Sequence, residues 1–175
     1  MVKIYVIDTN VLIQNPQALL SFEDNQVILP VVVLEELDNL KKAEGEKGRN
    51  ARAAIRILEE LRLKGNLLEG IRLEPHGMIR VEKNYIDVKL PEDLPEDKMD
   101  NRILKVCKGL AESSSQQVIL VTKDILLRIK AQIIGIRAED YTTEQVAEYE
   151  GQYKGRIEVY VPEEKFKDFK KKGVP

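Results

Sequence analysis

The sequence has too few cysteine and histidine side chains for several common kinds of site. It contains one cysteine, Cys107, and one histidine, His76, so an internal disulfide is excluded. A structural zinc site, which needs about four nitrogen or sulfur ligands, is excluded as well. Both Ser–His and Cys–His catalysis would have to use His76. Since 30 Asp and Glu side chains are present, carboxylates are the abundant groups for chemistry.

The sequence also lacks a positive net charge and a long apolar run. Its 28 Lys and Arg against 30 Asp and Glu give a net charge of −2, so any contact with nucleic acid has to come from a local patch. No apolar run approaches the ~20 residues that span a bilayer, and the N-terminus is charged too soon for a secretory signal. We therefore expect a cytoplasmic protein with no membrane segment.

Three short apolar runs, at 2–8, 26–29 and 117–121, have the Val, Ile and Leu content of strands buried on both faces. Helical patterns separate these runs, which is typical of parallel βαβ units. The pattern predicts an α/β domain. The region 65–97 is less regular and fits short strands or a hairpin, and 134–138 fits a last core strand.

Four acidic side chains fall where the predicted strands and helices meet. Asp8 ends the first strand, Asp124 follows the strand at 117–121, and Asp100 lies in the first turn of the helix before that strand. On a helical wheel of the segment after Pro30, Glu36 flanks the buried face. The carboxyl ends of parallel strands share one edge, so these carboxylates are expected to meet there. Mutual repulsion between them favours a hard divalent cation, and metal-assisted phosphodiester hydrolysis is a reaction that such a site performs.

The helix that follows Asp124 is also apolar. Asp124 occupies the position of an N-cap, and Gly135 is expected to end the helix. Leu126, Ile129 and Ile133 are expected to form its apolar face.

A basic stripe is the candidate surface for nucleic acid. Arg49, Arg52 and Arg56 share one side of the helix predicted near 47–64, and the segment 41–64 holds eight basic against four acidic residues. Such a stripe is more often a solvated helix face, but a phosphate contact beside the carboxylates is the functional alternative.

Four segments, in this order and spacing, resemble the motifs of PIN domains. They are Ile7-Asp8-Thr9-Asn10-Val11-Leu12, the acidic helix of residues 30–41, Asp100-Asn101-Arg102-Ile103-Leu104, and Val121-Thr122-Lys123-Asp124. With Arg128-Ile129-Lys130-Ala131 and Ala138-Glu139-Asp140-Tyr141, the chain looks like the N-terminal PIN domain of PhoH-like ATPases.

The resemblance implies a three-layer fold, with helices around a central parallel sheet of about five strands, and a metal-dependent ribonuclease acting on single-stranded RNA. Residues 1–147 would form the PIN domain, and 148–175 a C-terminal extension or connector. Mg²⁺ or Mn²⁺ would be held by the four matching acids, with two neighbours that orient them. The acids are Asp8, Glu36, Asp100 and Asp124, and the neighbours are Asn10 and Thr122. A homo-oligomer is a further expectation, because PIN domains often self-associate.

One departure from the PhoH-like pattern leaves alternatives open. No G-x-x-x-x-G-K-[ST] motif occurs, so ATP hydrolysis is not expected here, and the sequence fits either a domain of a longer PhoH-like ATPase or a standalone relative. Two other functions compete with the ribonuclease. One is a non-catalytic RNA-binding or oligomerisation module attached to an ATPase, and the other is a flap-type DNA nuclease with the same metal chemistry.

Overall fold

The central strands of the fold are buried along their whole length, as expected for strands covered on both faces. The computed structural model describes residues 2–83 and 85–142. Its strands are β1 (Ile4–Ile7), β2 (Gln26–Pro30), β3 (Ile71–Arg72), β4 (Met78–Glu82), β5 (Val118–Val121) and β6 (Arg137–Glu139). Every residue of β1 and β5 is buried.

Helices connect these strands. They are α1 (Thr9–Gln14), α2 (Val31–Leu40), α3 (Gly45–Arg62), α4 (Met99–Ser113) and α5 (Ile125–Ile133), with a 3₁₀ helix at Pro16–Leu20. Strands that run in parallel need crossover connections of this kind.

The six strands form one sheet in the order β3-β4-β2-β1-β5-β6. The five strands from β4 to β6 are mutually parallel, and β3 pairs antiparallel with β4 at the edge. The predicted α/β fold with about five parallel strands is therefore confirmed. The irregular region contributes β3 and β4 as a hairpin, and β4 also joins the main sheet beside β2.

The register of β1 and β5 brings two loops together at the carboxyl edge of the sheet. Ile7 lies opposite Val121, and the N–H of Asp8 donates to the carbonyl of Val121 at 3.0 Å. The next residues on the two strands, Asp8 and Thr122, therefore emerge side by side. At this same edge Pro30 ends β2 and directly precedes α2.

The apolar face predicted for α5 is not the face that the structure buries. Leu126, Ile129 and Ile133 are 65%, 49% and 58% exposed, while Leu127 and Ala131 are fully buried. The helix is apolar on more than one side, so hydrophobic periodicity could not select the face that contacts the sheet. The last strand also begins later than predicted, because Ile134 is the C-cap of α5 and Gly135 has a positive φ of 77°.

No helix in the described part of the chain is long and apolar enough to cross a membrane. The predicted boundary near residue 147 and the extension 148–175 lie outside the described residues.

Candidate active site

Asp8 is held rigidly at the end of β1. Its Oδ1 accepts from the N–H of Thr9 at 2.7 Å, which caps α1, and its Oδ2 accepts from Thr122 Oγ1 at 2.7 Å. The side chain is almost enclosed, with 7% of Asp8 exposed. A short turn between a buried strand and a helix thus fixes this carboxylate at the sheet edge.

Thr122 and Asn10, the two residues that the resemblance gave as neighbours of the acids, link the loops after β1 and β5. Thr122 is fully buried, and besides donating to Asp8 its Oγ1 accepts from the N–H of Asp124 at 3.0 Å. Asn10 Oδ1 accepts from the N–H of Lys123 at 3.0 Å, and its Nδ2 lies 3.4 Å from Thr122 Oγ1. The two loops are therefore one hydrogen-bonded unit.

Glu36 faces this unit from α2. The helical wheel placed Glu36 on the flank of the buried face, and in the structure Glu36 is half-buried while the adjacent Glu35 is exposed. Thr9 Oγ1 donates to Glu36 Oε1 at 2.5 Å. Sequence reasoning missed this role of Thr9, because the contact exists only once α2 is packed beside α1.

Asp100 enters from the first turn of α4 and has a cationic neighbour. Lys130 Nζ, on α5, lies 3.1 Å from Asp100 Oδ2 and 3.2 Å from Asn101 Oδ1. The side chains of Lys130 and Asp100 are 26% and 34% exposed, so the pair lies at the rim of the site. Lys130 belongs to the segment Arg128-Ile129-Lys130-Ala131, but nothing in the sequence predicted its contact with Asp100.

Asp124 is the N-cap of α5, as predicted. Its Oδ1 accepts from the N–H groups of Leu126 and Leu127 at 3.0 and 3.4 Å. Among the described residues, none donates a hydrogen bond to its other oxygen, Oδ2. The outer oxygens of Glu36 and Asp100, Oε2 and Oδ1, are without a donor in the same part of the chain. Each of these three carboxylates thus has one oxygen held by the protein and one available to a ligand.

All four carboxylates line one open cleft of about 250 Å³. Asn10 and Thr9 lie on its wall with Ile13, Met99 and Ile103. One lysine, Lys47 from α3, also lines it. The structure therefore brings the predicted acids and Asn10 to a single place, while Thr122 supports them from behind.

Negative charge dominates the cleft, because four carboxylates and one lysine line it. The pKa of Asp8 is raised from 3.8 to about 6, mainly because the side chain is buried. The hydrogen bonds from Thr122 and Thr9 lower this pKa, and the negative charges of Glu36 and Asp124 raise it. Both the low solvation and the neighbouring acids disfavour the ionised form. A cation in the cleft would relieve both effects.

The oxygen atoms that line the cleft belong to carboxylate, amide and hydroxyl groups, and oxygen is the type of ligand that a hard divalent cation takes. In residues 2–83 and 85–142, no three Asp, Glu, His or Cys side chains are close enough to form a ready-made metal cluster. Mg²⁺ does not require one, because it usually keeps several waters and binds through one or two carboxylates together with substrate phosphates. The residues fit such an ion as a partial set of ligands.

The arginine stripe lies away from this cleft. Arg49, Arg52 and Arg56 are exposed and none of them lines it. Arg52 Nη1 instead donates to the carbonyl of Lys41 at 2.6 Å. A contact between this stripe and RNA stays a prediction.

The sequence matches the PIN domain family over residues 5–142, which is most of the chain. The chain belongs to the PIN domain family. This is a nuclease-type family, and the four motifs that suggested it are the ones that meet in the cleft.

Curated relatives connect the chain with PhoH-like proteins. It is 43% identical to Protein PhoH2 of Bacillus subtilis over 175 residues, covering 97% of this chain and 40% of that protein. It is 39% identical to Protein PhoH2 of Thermobispora bispora over 145 residues, covering 82% of this chain and 33% of that protein. The chain therefore spans well under half the length of these relatives.

A solved structure has a similar fold. It is a domain of a functionally unknown protein from Methanocaldococcus jannaschii, with a TM-score of 0.50 and 22% identity. The match covers 91% of this chain and 99% of that one. At this identity the likeness concerns the fold alone.

Proposed function

We propose that this chain is a divalent-metal-dependent ribonuclease that hydrolyses phosphodiester bonds of single-stranded RNA, using Mg²⁺ or Mn²⁺. The observation that carries the proposal is the cleft itself, where Asp8, Glu36, Asp100 and Asp124 meet. Three of these acids present an oxygen with no donor among the described residues. Membership in a nuclease-type family supports the same reaction class.

Asp8 is the central carboxylate in this proposal. It is the most deeply buried of the four and carries the raised pKa, so it gains most from a nearby positive charge. Glu36, Asp100 and Asp124 would supply further oxygen ligands, and water and substrate phosphate would complete the coordination. Bound here, Mg²⁺ or Mn²⁺ would supply the charge that stabilises the attacking and leaving oxygens of an in-line displacement.

The rest of the network keeps these carboxylates in place. Thr122 orients Asp8, Thr9 orients Glu36, and Lys130 holds Asp100 through one oxygen. Because each orienting group takes one oxygen, the other oxygen of Glu36 and of Asp100 remains available. The same residues also limit the freedom of the acids to move apart under their mutual repulsion.

The proposed partner is single-stranded RNA in the cytoplasm. We also propose that the chain associates with copies of itself. We further propose that it associates with a PhoH-like ATPase segment in a longer parent chain. The identity to PhoH2 proteins, of which this chain spans only part, supports the link to a longer protein.

The function is tested by incubating the 175-residue chain with labelled single-stranded RNA in Mg²⁺, in Mn²⁺ and in EDTA. Asp8→Asn and Asp100→Asn are compared with Asp97→Asn, a matched control because Asp97 is exposed, lies three residues before Asp100 and does not line the cleft. We expect cleavage that needs metal, disappears in the first two variants and persists in the control.

Three other results would contradict the proposal. Full activity of a folded Asp8→Asn variant would remove the carboxylates from the reaction. RNA that is bound but never cut, with metal present, would favour the non-catalytic binding module. Cleavage of single-stranded DNA in strong preference to RNA of the same sequence would favour the DNA nuclease.

A further inference from the structure

Lys47 is the one basic side chain, in the described part of the chain, that lines the carboxylate cleft. It lies in the first turn of α3, facing a wall that is otherwise acidic, amide or apolar. Within residues 2–83 and 85–142 it forms no ion pair and no side-chain hydrogen bond, although four carboxylates share the cleft with it. Lys130 differs in this respect, because it is already engaged by Asp100.

The position of Lys47 follows from the way α3 packs. At about 100° per residue, Lys47 shares the side of α3 that carries the buried Ala51, Ala54 and Leu58. Arg49, Arg52 and Arg56 lie about 140–200° away from it, on the solvent side. The same stripe that buries α3 against the domain therefore directs Lys47, one turn before Ala51, toward the cleft.

The backbone around Lys47 is fixed from both sides. Gly48 is buried, and a side chain there would meet the carbonyl oxygen of Ala43 at 1.8 Å, so α3 begins in close contact with the preceding loop. Asn50 Nδ2 donates to the carbonyl of Ile13 at 2.7 Å, which ties α3 to the helix that follows Asp8. A fixed backbone with an unengaged ammonium group is suited to a ligand that arrives from solution.

We infer that Lys47 contacts a phosphate of the nucleic acid strand next to the bond that the carboxylates act on. This inference rests on the proposed function, and in it Lys47 helps to position the substrate strand. A strand entering a cleft with four carboxylates is repelled, and Lys47 offers a point of attraction on the wall supplied by α3. A lysine ammonium binds phosphate as a point charge, and phosphate contacts fix the position of a strand without reading its sequence. The positive end of the α3 dipole acts in the same direction.

The test measures how salt weakens the binding of a labelled single-stranded RNA by the 175-residue chain and its variants. Binding is followed by fluorescence anisotropy with Ca²⁺ in place of Mg²⁺, between about 50 and 200 mM salt, with oligonucleotide length checked on a gel. The slope of log K against log salt is negative, and loss of one phosphate contact to a single strand makes it less steep by about 0.7. We expect this change in Lys47→Ala and a wild-type slope in Lys47→Arg.

Lys64→Ala is the matched control, because Lys64 is an exposed lysine just past the other end of α3. It should keep the wild-type slope. In Mg²⁺, Lys47→Ala should raise the KM for RNA more than it lowers kcat, since the residue holds the strand and not the reacting atoms.

The outcomes separate this inference from the proposed function. If the wild type binds and cuts RNA while Lys47→Ala has the same salt slope and KM, Lys47 makes no phosphate contact and the inference alone is overturned. If the folded wild type neither binds nor cuts RNA, the proposed function fails and the inference fails with it. A slope that becomes less steep by the same amount in Lys47→Ala and Lys64→Ala reflects total charge and also overturns the inference.

Discussion

Thr122 Oγ1 donates a 2.7 Å hydrogen bond to Asp8 Oδ2 across the ends of two adjacent parallel strands. The same oxygen accepts from the N–H of Asp124 at 3.0 Å. One buried hydroxyl therefore connects the carboxylate after β1 with the loop that places the carboxylate before α5. The geometry of the cleft depends on a residue that does not itself line it.

Replacing Thr122 by valine should separate these two loops. The change leaves a buried carboxylate oxygen of Asp8 and the N–H of Asp124 without their partner, at a cost of about 1–3 kcal/mol in the free energy of unfolding. We also expect weaker Mn²⁺ binding, because Asp8 loses its orientation. Urea unfolding and a Mn²⁺ titration measure the two effects. Thr122→Ser, which keeps the hydroxyl, should stay close to wild type, and a valine variant as stable as the serine variant would contradict this role.

The contribution of Asp8 to the stability of the metal-free protein should fall as the pH rises from about 4 to 6. Asp8 has an ordinary pKa of 3.8 and a pKa of about 6 in the folded protein. Between these values the folded state binds more protons at this site than the unfolded state, so raising the pH favours unfolding. A difference of roughly two units corresponds to about 3 kcal/mol, present below the lower pKa and lost above the higher one.

The measurement is urea unfolding in EDTA across this pH range for the wild type, Asp8→Asn and Asp97→Asn. Other acids titrate in the same window, so the quantity of interest is the difference between each variant and the wild type. Asp8→Asn should gain stability relative to wild type as the pH rises, and Asp97→Asn should not. Added Mg²⁺ should restore part of the wild-type stability near neutral pH. A constant difference between Asp8→Asn and wild type at every pH would refute the prediction.

Lys130→Met should weaken metal binding more than it weakens the fold. Lys130 holds Oδ2 of Asp100 and Oδ1 of Asn101 from a half-buried position at the rim. Loss of a group that orients a ligand typically costs about 10- to 100-fold in metal affinity. Isothermal titration with Mn²⁺ measures this loss, and Lys64→Met is the control at an exposed site. Affinity equal to that of the control would show that Asp100 needs no such support.

Much of the site could be predicted from the sequence, because its residues lie where strands end. A short buried strand followed by Asp8 or Thr122 places each side chain at one edge of a parallel sheet, whatever the details of the loops. The placement of Glu36 beside the buried face could be predicted from the helical wheel of α2 alone. The contacts of Thr9 and Lys130 could not be predicted, since they join elements whose packing is set by the whole fold.

The position of Lys47 in the cleft could not be predicted from the charge pattern of α3. Three arginines recur on one side of α3, and this made the stripe the candidate surface for nucleic acid. Recurrence of charge is, however, typical of a solvent-exposed helix face. The wheel that located the stripe also places Lys47 on the opposite, buried side. The signal for this cleft residue was therefore one lysine in line with apolar residues, and not the local excess of positive charge.

The two apolar faces of α5 should contribute very differently to the stability of the fold, because only one of them is buried. Leu126 and Leu127 are adjacent and chemically identical, but Leu126 is 65% exposed and Leu127 is fully buried. Leu127→Ala should lower the free energy of unfolding by about 2–5 kcal/mol, since it removes buried methyl groups and leaves a cavity. Leu126→Ala should change it by about 0.5 kcal/mol or less, as expected for an exposed side chain. Urea unfolding of the two variants compares them directly, and a larger loss for Leu126→Ala would show that the face predicted from the sequence is covered after all.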